Sequence, residues 1–143
     1  LESAKRVGSA GKVYAIDIQK ELLKAIKGKA ENEGYNNVEI LWADLEQPEG
    51  SKLSAGSADR VIISNILFQV GNKPAMAQEA FRILKSEGKL ILIEWSESSK
   101  LGPTAEQRLS REQAKELFEG VGLTFEKEFD AGSSHYGLIF LKP

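Results

Sequence analysis

Cysteine is absent from the 143 residues. That excludes disulfides, thiolate metal sites and cysteine nucleophiles together, and it leaves the redox compartment unread. Long apolar runs are absent as well. No stretch approaches the length of a membrane span, and residues 1–11 are too polar for a signal peptide, so the expectation is a cytoplasmic protein with no membrane partner. Neither sign of charge dominates: 19 Lys and Arg against 21 Asp and Glu leave a net charge of −2. No basic field therefore recommends a nucleic-acid backbone as partner, although a local patch could still hold one. No cluster has the spacing of a metal site, no Ser-His-Asp arrangement is suggested, and neither a repeat nor a low-complexity segment is visible. What remains, 41% apolar and 28% charged residues, has the composition of one globular domain with a single core, 1–143.

The hydrophobic pattern alternates between two periods. Leu1, Ala4 and Val7 have helical spacing before Gly8 and Gly11, like the tail of a helix. Val13-Tyr14-Ala15-Ile16 is a short continuous apolar run ending at Asp17-Ile18, which suits a strand buried on both faces. Residues 19–33 read as a helix with Leu22, Leu23, Ile26 and Ala30 inward and Gly34 at its stop. Residues 38–45 read as a second strand carrying Asp44 near its end. The Gly-, Ser- and Pro-containing stretch 46–57 is too broken for a helix.

A third strand is expected over 58–66. Pro74 then suits the first turn of a helix whose inner stripe is Ala77, Ala80, Phe81 and Leu84. Glu87-Gly88 turns the chain into a fourth strand, 89–95, and a loop follows over 96–109. Ser110, three residues before Gln113, has the spacing of a capping box. The helix it opens should bury Ala114, Leu117, Phe118 and Val121 and close at Gly122. Two last strands, 125–131 and 136–142, are separated only by a Gly132-Ser133-Ser134 link, which demands an antiparallel hairpin. The sum is an α/β fold with a mainly parallel sheet and an antiparallel hairpin at its end.

Ligands of open α/β sheets bind beyond the carboxyl ends of the strands. Those ends carry Asp17, Asp44, Ser64-Asn65 and Glu94-Trp95. A strand-end acid can accept hydrogen bonds from ribose hydroxyls, and one a strand further on can accept from an adenine amino group. Each acid could equally cap the helix that follows it. Two in succession, each followed by an apolar residue able to cover a base (Ile18, Leu45), favour a nucleoside pocket.

These segments resemble class I S-adenosylmethionine-dependent methyltransferases, the Rossmann-like, doubly wound kind. Val13-Tyr14-Ala15-Ile16-Asp17 looks like the family's second strand, whose terminal acid binds the ribose. Trp42-Ala43-Asp44-Leu45 resembles its adenine-contacting motif. Ser57-Ala58-Asp59-Arg60-Val61, running on to Ser64-Asn65-Ile66-Leu67, is similar to the fourth strand, whose end faces the methionine part. Residues 83–90, Ile-Leu-Lys-Ser-Glu-Gly-Lys-Leu, match the segment usually written LKPGG. Gly102-Pro103 with Arg108-Leu109-Ser110 looks like the substrate loop of the small-molecule subgroup akin to ubiquinone and menaquinone methyltransferases. The resemblance runs through nearly the whole chain, five motifs in the family's order.

It implies S-adenosylmethionine as cofactor, held by Asp17, Ile18, Asp44, Leu45 and Asn65, and methyl transfer to a small-molecule substrate. The family's signature, a first strand followed by a GxGxG loop, should precede Leu1 and is not in these residues. In the family that strand lies between the ones expected here at 13–18 and 58–66. Each buried backbone group left unpaired costs about 1–3 kcal/mol against a domain stability of roughly 5–15 kcal/mol. Direct pairing of the two flanking strands, a second copy of the chain or a segment supplied from elsewhere would repair the loss. A homodimer is the expectation.

Other candidates gather near the same edge. His135, the only histidine, could act as a general base near neutral pH; an exposed turn histidine is the competing reading. Phe68 and Trp95 could line a substrate pocket or simply pack in the core, and the hairpin link would bring Tyr136 towards the same site as a substrate contact. Glu94 could orient a substrate nucleophile or stand as a solvated strand end. Arg108 and Glu106 fall in the expected substrate loop, where a surface ion pair is the alternative, and Asp130 ends the strand before the hairpin link. Beside methyl transfer stand two other readings, a non-catalytic self-associating module and a different activity, such as hydrolysis, in the cofactor cleft.

Overall fold

The computed structural model describes all 143 residues, which divide into two compact units, Leu1–Leu45 with Gly50–Lys52, and Glu46–Glu49 with Leu53–Pro143. In the first unit α1 (Glu2–Val7) precedes β1 (Val13–Asp17), α2 (Lys20–Asn32) and β2 (Val38–Trp42). The helix at the start stops at Gly8, whose φ of 69° is the left-handed conformation glycine adopts at least cost. Asn37 ties that end to the start of β2, its amide donating to the Ala4 and Gly8 carbonyls at 2.8 and 2.9 Å. β1 and β2 are parallel, with Val13 opposite Val38 and Asp17 opposite Trp42, and α2 packs on both. Only half of the expected inner stripe of α2 is covered. Leu23 and Ala30 are buried, whereas Leu22 and Ile26 stay exposed, because two strands are too narrow to cover a helix face more than 100° wide.

The second unit holds β3 (Ala58–Ser64), a 3-10 turn (Leu67–Gln69), α3 (Lys73–Ile83), β4 (Leu84–Trp95), α4 (Arg111–Gly120), β5 (Thr124–Asp130) and β6 (His135–Leu141). Its sheet has the order β3-β4-β6-β5. β3 runs parallel to β4, and β6 is antiparallel to both β4 and β5. β5 therefore points the same way as β3 and β4, and the hairpin link falls at their carboxyl edge. Caps set the helices: Asn72 accepts from Ala75 N–H at 3.2 Å, and Ser110 and Gln113 make both bonds of the capping box. One face of the sheet forms the core, with Leu90, Leu92, Leu138, Phe140, Ala114 and Phe118 fully buried and the rings of Phe118 and Phe140 5.0 Å apart.

Two boundaries differ from the sequence pattern. Leu84 belongs to β4, not to the helix stripe, although it is fully buried. The Glu87-Gly88 turn lies inside that strand as a bulge: Leu84 pairs with Ala58 and Lys89 with Arg60, so residues 85–88 loop out. Glu87 takes a φ of 63°, and a Cβ on Gly88 would stand 2.8 Å from the Lys85 carbonyl oxygen. β1 and β3 are each edge strands, paired on one side only, β1 with β2 and β3 with β4.

Candidate functional site

In the first unit the carboxyl edge is built by β1 and β2. Asp17, the last residue of β1, accepts the Gln19 N–H at Oδ1 (2.8 Å), a local turn that delivers the chain to α2. Its other oxygen remains available. The adjacent apolar surface is open: Ile18 is 60% exposed and Trp42 54%. The Trp42 indole N–H donates to the Ile18 carbonyl at 2.8 Å, and the Lys20 ammonium stands 3.7 Å from its ring centre, so the ring is held in place. Asp44 and Leu45 follow two and three residues past the end of β2 in half-buried positions; the strand is shorter than its sequence pattern. A carboxylate with a free oxygen beside a fixed aromatic and an exposed isoleucine fits a ribose and the face of a base.

In the second unit the edge is built by β3, β4 and the hairpin link. Asn65 is exposed, with a φ of 56°, a left-handed turn that asparagine tolerates, and its N–H continues the ladder to the Ile93 carbonyl at 2.9 Å. Phe68 is half-buried in the 3-10 turn. Glu94 is not a solvated strand end. It is 1% exposed, and its carboxylate accepts the Leu67 N–H at 2.8 Å and the Trp95 N–H at 3.4 Å. Burial pushes its pKa up, opposed by those N–H groups, by that of Ile66 and by His135.

His135 lies opposite Trp95 in the ladder, with ring centres 4.3 Å apart. It is half-buried, and its Nε2 is enclosed without a hydrogen-bond partner. A cleft of about 400 Å³ opens beside it, lined among others by Ser96, Arg111, Asp130, Ser133 and Tyr136. Asp130 spends Oδ1 on the Gly132 N–H at 2.9 Å, closing the link.

Tyr136 and Arg108 are occupied in holding the loop 96–109. The Tyr136 hydroxyl is buried and donates to the Leu109 carbonyl at 2.7 Å; burial, with Glu94 nearby, pushes its pKa well above the tyrosine range, so it stays protonated. The Arg108 guanidinium donates to the carbonyls of Pro103, Ser96, Glu97 and Leu101 at 2.9–3.3 Å. Glu106 is exposed and makes no ion pair with it. The loop lies over Trp95 so closely that a Cβ on Gly102 would come within 2.4 Å of the indole.

Two further residues join the site without being singled out by the sequence pattern. Trp42 is signalled only by its place before Ala43-Asp44. Arg111 pairs with Glu97 and with Glu128 (2.8 Å) and lies over the Tyr136 ring at 4.8 Å; its single signal is its position directly after the helix cap. No three His, Asp or Glu side chains are grouped so as to hold a metal ion, and no helix is long and apolar enough to cross a membrane.

A mainly parallel α/β arrangement closed by an antiparallel hairpin, with acids at successive strand ends, is the Rossmann-like architecture of methyltransferases. The family model described as "Methyltransferase domain" matches residues 1–131, and the chain belongs to that family, in its class I, S-adenosylmethionine-dependent form. Over 94 residues it is 33% identical to a ubiquinone/menaquinone biosynthesis C-methyltransferase of Hydrogenovibrio crunogenus, covering 65% of this chain and 36% of the relative. Over 96 residues it is 31% identical to a demethylmenaquinone methyltransferase of Lactococcus lactis, covering 67% and 37%. The chain spans little more than a third of these relatives' length. Its fold matches the crystal structure of a SAM-dependent methyltransferase from Aquifex aeolicus with a TM-score of 0.88 at 24% identity, over 98% of this chain and 73% of that one.

Proposed function

We propose that this chain carries the nucleoside-binding and acceptor-side elements of an S-adenosylmethionine-dependent methyltransferase acting on a small molecule. The observation that carries the reading is the pair of parallel strands β1 and β2, whose carboxyl ends bring Asp17 and Asp44 to one edge beside exposed Ile18 and Trp42. When bound, the cofactor supplies a methyl group on a positively charged sulfur, and transfer to the acceptor leaves that sulfur neutral. Asp17 accepts from the ribose hydroxyls and Asp44 from the adenine amino group, while Ile18 and Leu45 cover the base. Asn65 faces the methionine end. Phe68 and Trp95 bound the acceptor, and His135 is the candidate base for the acceptor's proton. The protein's main contribution is alignment of donor and acceptor. A cytoplasmic location belongs to the same proposal, as does an acceptor other than nucleic acid, the latter supported by the net charge of −2. Calorimetric titration with S-adenosylhomocysteine tests it; a chain that gives no heat of binding refutes it.

Self-association is a second part of the reading, favoured by the two half-paired strands. β3 leaves Ile62 55% exposed; neither β1 nor β3 contains a proline, and the charges of β3, Asp59 and Arg60, are confined to its first half. A homodimer pairing such edges is expected in sedimentation at micromolar concentration. A single species at the 15.7 kDa chain mass would refute it.

A further inference from the structure

Glu94 occupies a position that the pattern of its strand assigns to a hydrophobe. Along β4 the side chains of Leu90, Leu92 and Glu94 alternate onto the core face, and they are 0%, 0% and 1% exposed. Opposite them on β6 stand Phe140, Leu138 and Tyr136, all buried. A leucine at position 94 would continue the column. A carboxyl group there loses its hydration, a cost that packing does not return.

What the carboxyl group gains in exchange is backbone. Its Oε1 takes the N–H of Leu67, the first residue of the 3-10 turn. The turn's own bonds satisfy Gln69 and Val70, whose N–H groups donate to the Ile66 and Leu67 carbonyls, and the residue at its N-cap, Ile66, has no side chain able to cap it. Leu67 is fully buried, so without Glu94 its N–H would be enclosed and unpaired. The second oxygen reaches the Trp95 N–H, which fastens the same carboxylate to the end of β4. One side chain thus joins the segment after β3, bearing Asn65 and Phe68, to the strand end bearing Trp95.

We propose that Glu94 is a positioning residue, whose buried carboxylate latches residues 65–69 to the end of β4 and so sets the placement of Asn65 and Phe68 without touching a ligand. The inference rests on the functional reading above, in which those two residues face the cofactor and the acceptor. A group kept for stability and one kept for position respond differently to replacement by leucine. Filling the column removes the desolvation cost, while the turn loses its anchor.

The test uses the full chain with Glu94→Leu and Glu94→Gln, followed by thermal unfolding, amide hydrogen exchange and titration with S-adenosylhomocysteine. In Glu94→Leu the unfolding temperature should hold or rise. Exchange at the Leu67 amide should accelerate about tenfold or more, as expected for loss of a charge-assisted bond, and affinity should fall measurably because Asn65 and Phe68 lose their fixed placement. Glu94→Gln, which keeps an acceptor for Leu67, should lie between wild type and Glu94→Leu in both. Should the leucine variant fail to fold, Glu94→Met, unbranched and more adaptable, replaces it. Leu67 exchange that stays at the wild-type rate, or rises only in step with global unfolding, overturns the latch. So does faster exchange with unaltered affinity. If the wild-type chain binds no S-adenosylhomocysteine, the functional reading fails, and the exchange rates alone decide whether the latch exists.

Discussion

Replacing Asp17 by asparagine separates the two tasks of its carboxylate. One oxygen holds the turn before α2 through the Gln19 N–H at 2.8 Å; the other is free for a ribose hydroxyl. Asparagine keeps an acceptor for Gln19 but puts an amide NH2 where the second oxygen stood and removes the charge. Charge-assisted bonds are worth roughly twice their neutral counterparts, so Asp17→Asn should weaken S-adenosylhomocysteine binding by about 1–2 kcal/mol, roughly fivefold to thirtyfold. The turn survives, and unfolding in urea should be unchanged. Asp17→Ala loses both tasks. Its affinity should fall by about 2–3 kcal/mol, and stability by about 0.5 kcal/mol, the low end for a hydrogen bond at an exposed site. Calorimetry and urea denaturation on the same three proteins decide the matter. Wild-type affinity in Asp17→Asn would mean that the free oxygen meets no ligand, and the acid would then be only the turn former that precedes α2.

Two further outcomes follow from the second unit. Arg108→Ala releases four backbone carbonyls of the loop 96–109; because water can reach part of that loop, the cost should be about 2 kcal/mol, lowering Tm by roughly 5–8 °C, and a red shift of Trp95 fluorescence should report the uncovered ring. Unchanged fluorescence would show that Gly102 keeps the loop in place alone. The buried and paired glutamates should give opposite pH responses in urea denaturation. Glu97 is pushed up by burial but held lower on balance by the Arg111 N–H, its own N–H and the Arg111 charge, so its contribution is present above the ordinary glutamate range and is lost as pH falls through its lowered pKa. Glu94 is raised by burial; its contribution is fullest below the ordinary range and is lost as pH rises through the raised value. Glu97→Gln should therefore flatten the acid limb of the stability profile and Glu94→Leu the limb towards neutral pH, and an exchange of these two effects would refute the assignment.

What the sequence makes legible and what it hides divide along a physical line. Asp17 is readable because an acid interrupts an apolar run where a parallel strand must end, and Ser110 with Gln113 is readable because a capping box joins two side chains at fixed spacing; both bonds form. Arg108 is different. Its partners are carbonyl oxygens, which every residue presents, so no residue type at positions 96, 97, 101 or 103 announces the contact, and an ion pair with nearby Glu106 is the natural but unrealised expectation. The bulge at 85–88 is half legible: Glu87-Gly88 signals a turn, but that the strand resumes on both sides depends on Lys142, whose N–H reaches the Gly88 carbonyl while its carbonyl takes the Glu87 N–H. That partner lies more than fifty residues away. Glu94 shows the same limit most sharply. Alternation places it on the core face with Leu90 and Leu92, and by residue type it reads as a solvated end; only the 3-10 turn crossing over it, supplied by the segment after a different strand, makes a buried carboxylate tenable. Residues whose chemistry is spent on side chains close in sequence can be read from spacing, whereas those spent on distant backbone require the fold. The latch at Glu94 is of the second kind, so a search for functional residues by type and motif alone passes over the group that sets the placement of Asn65.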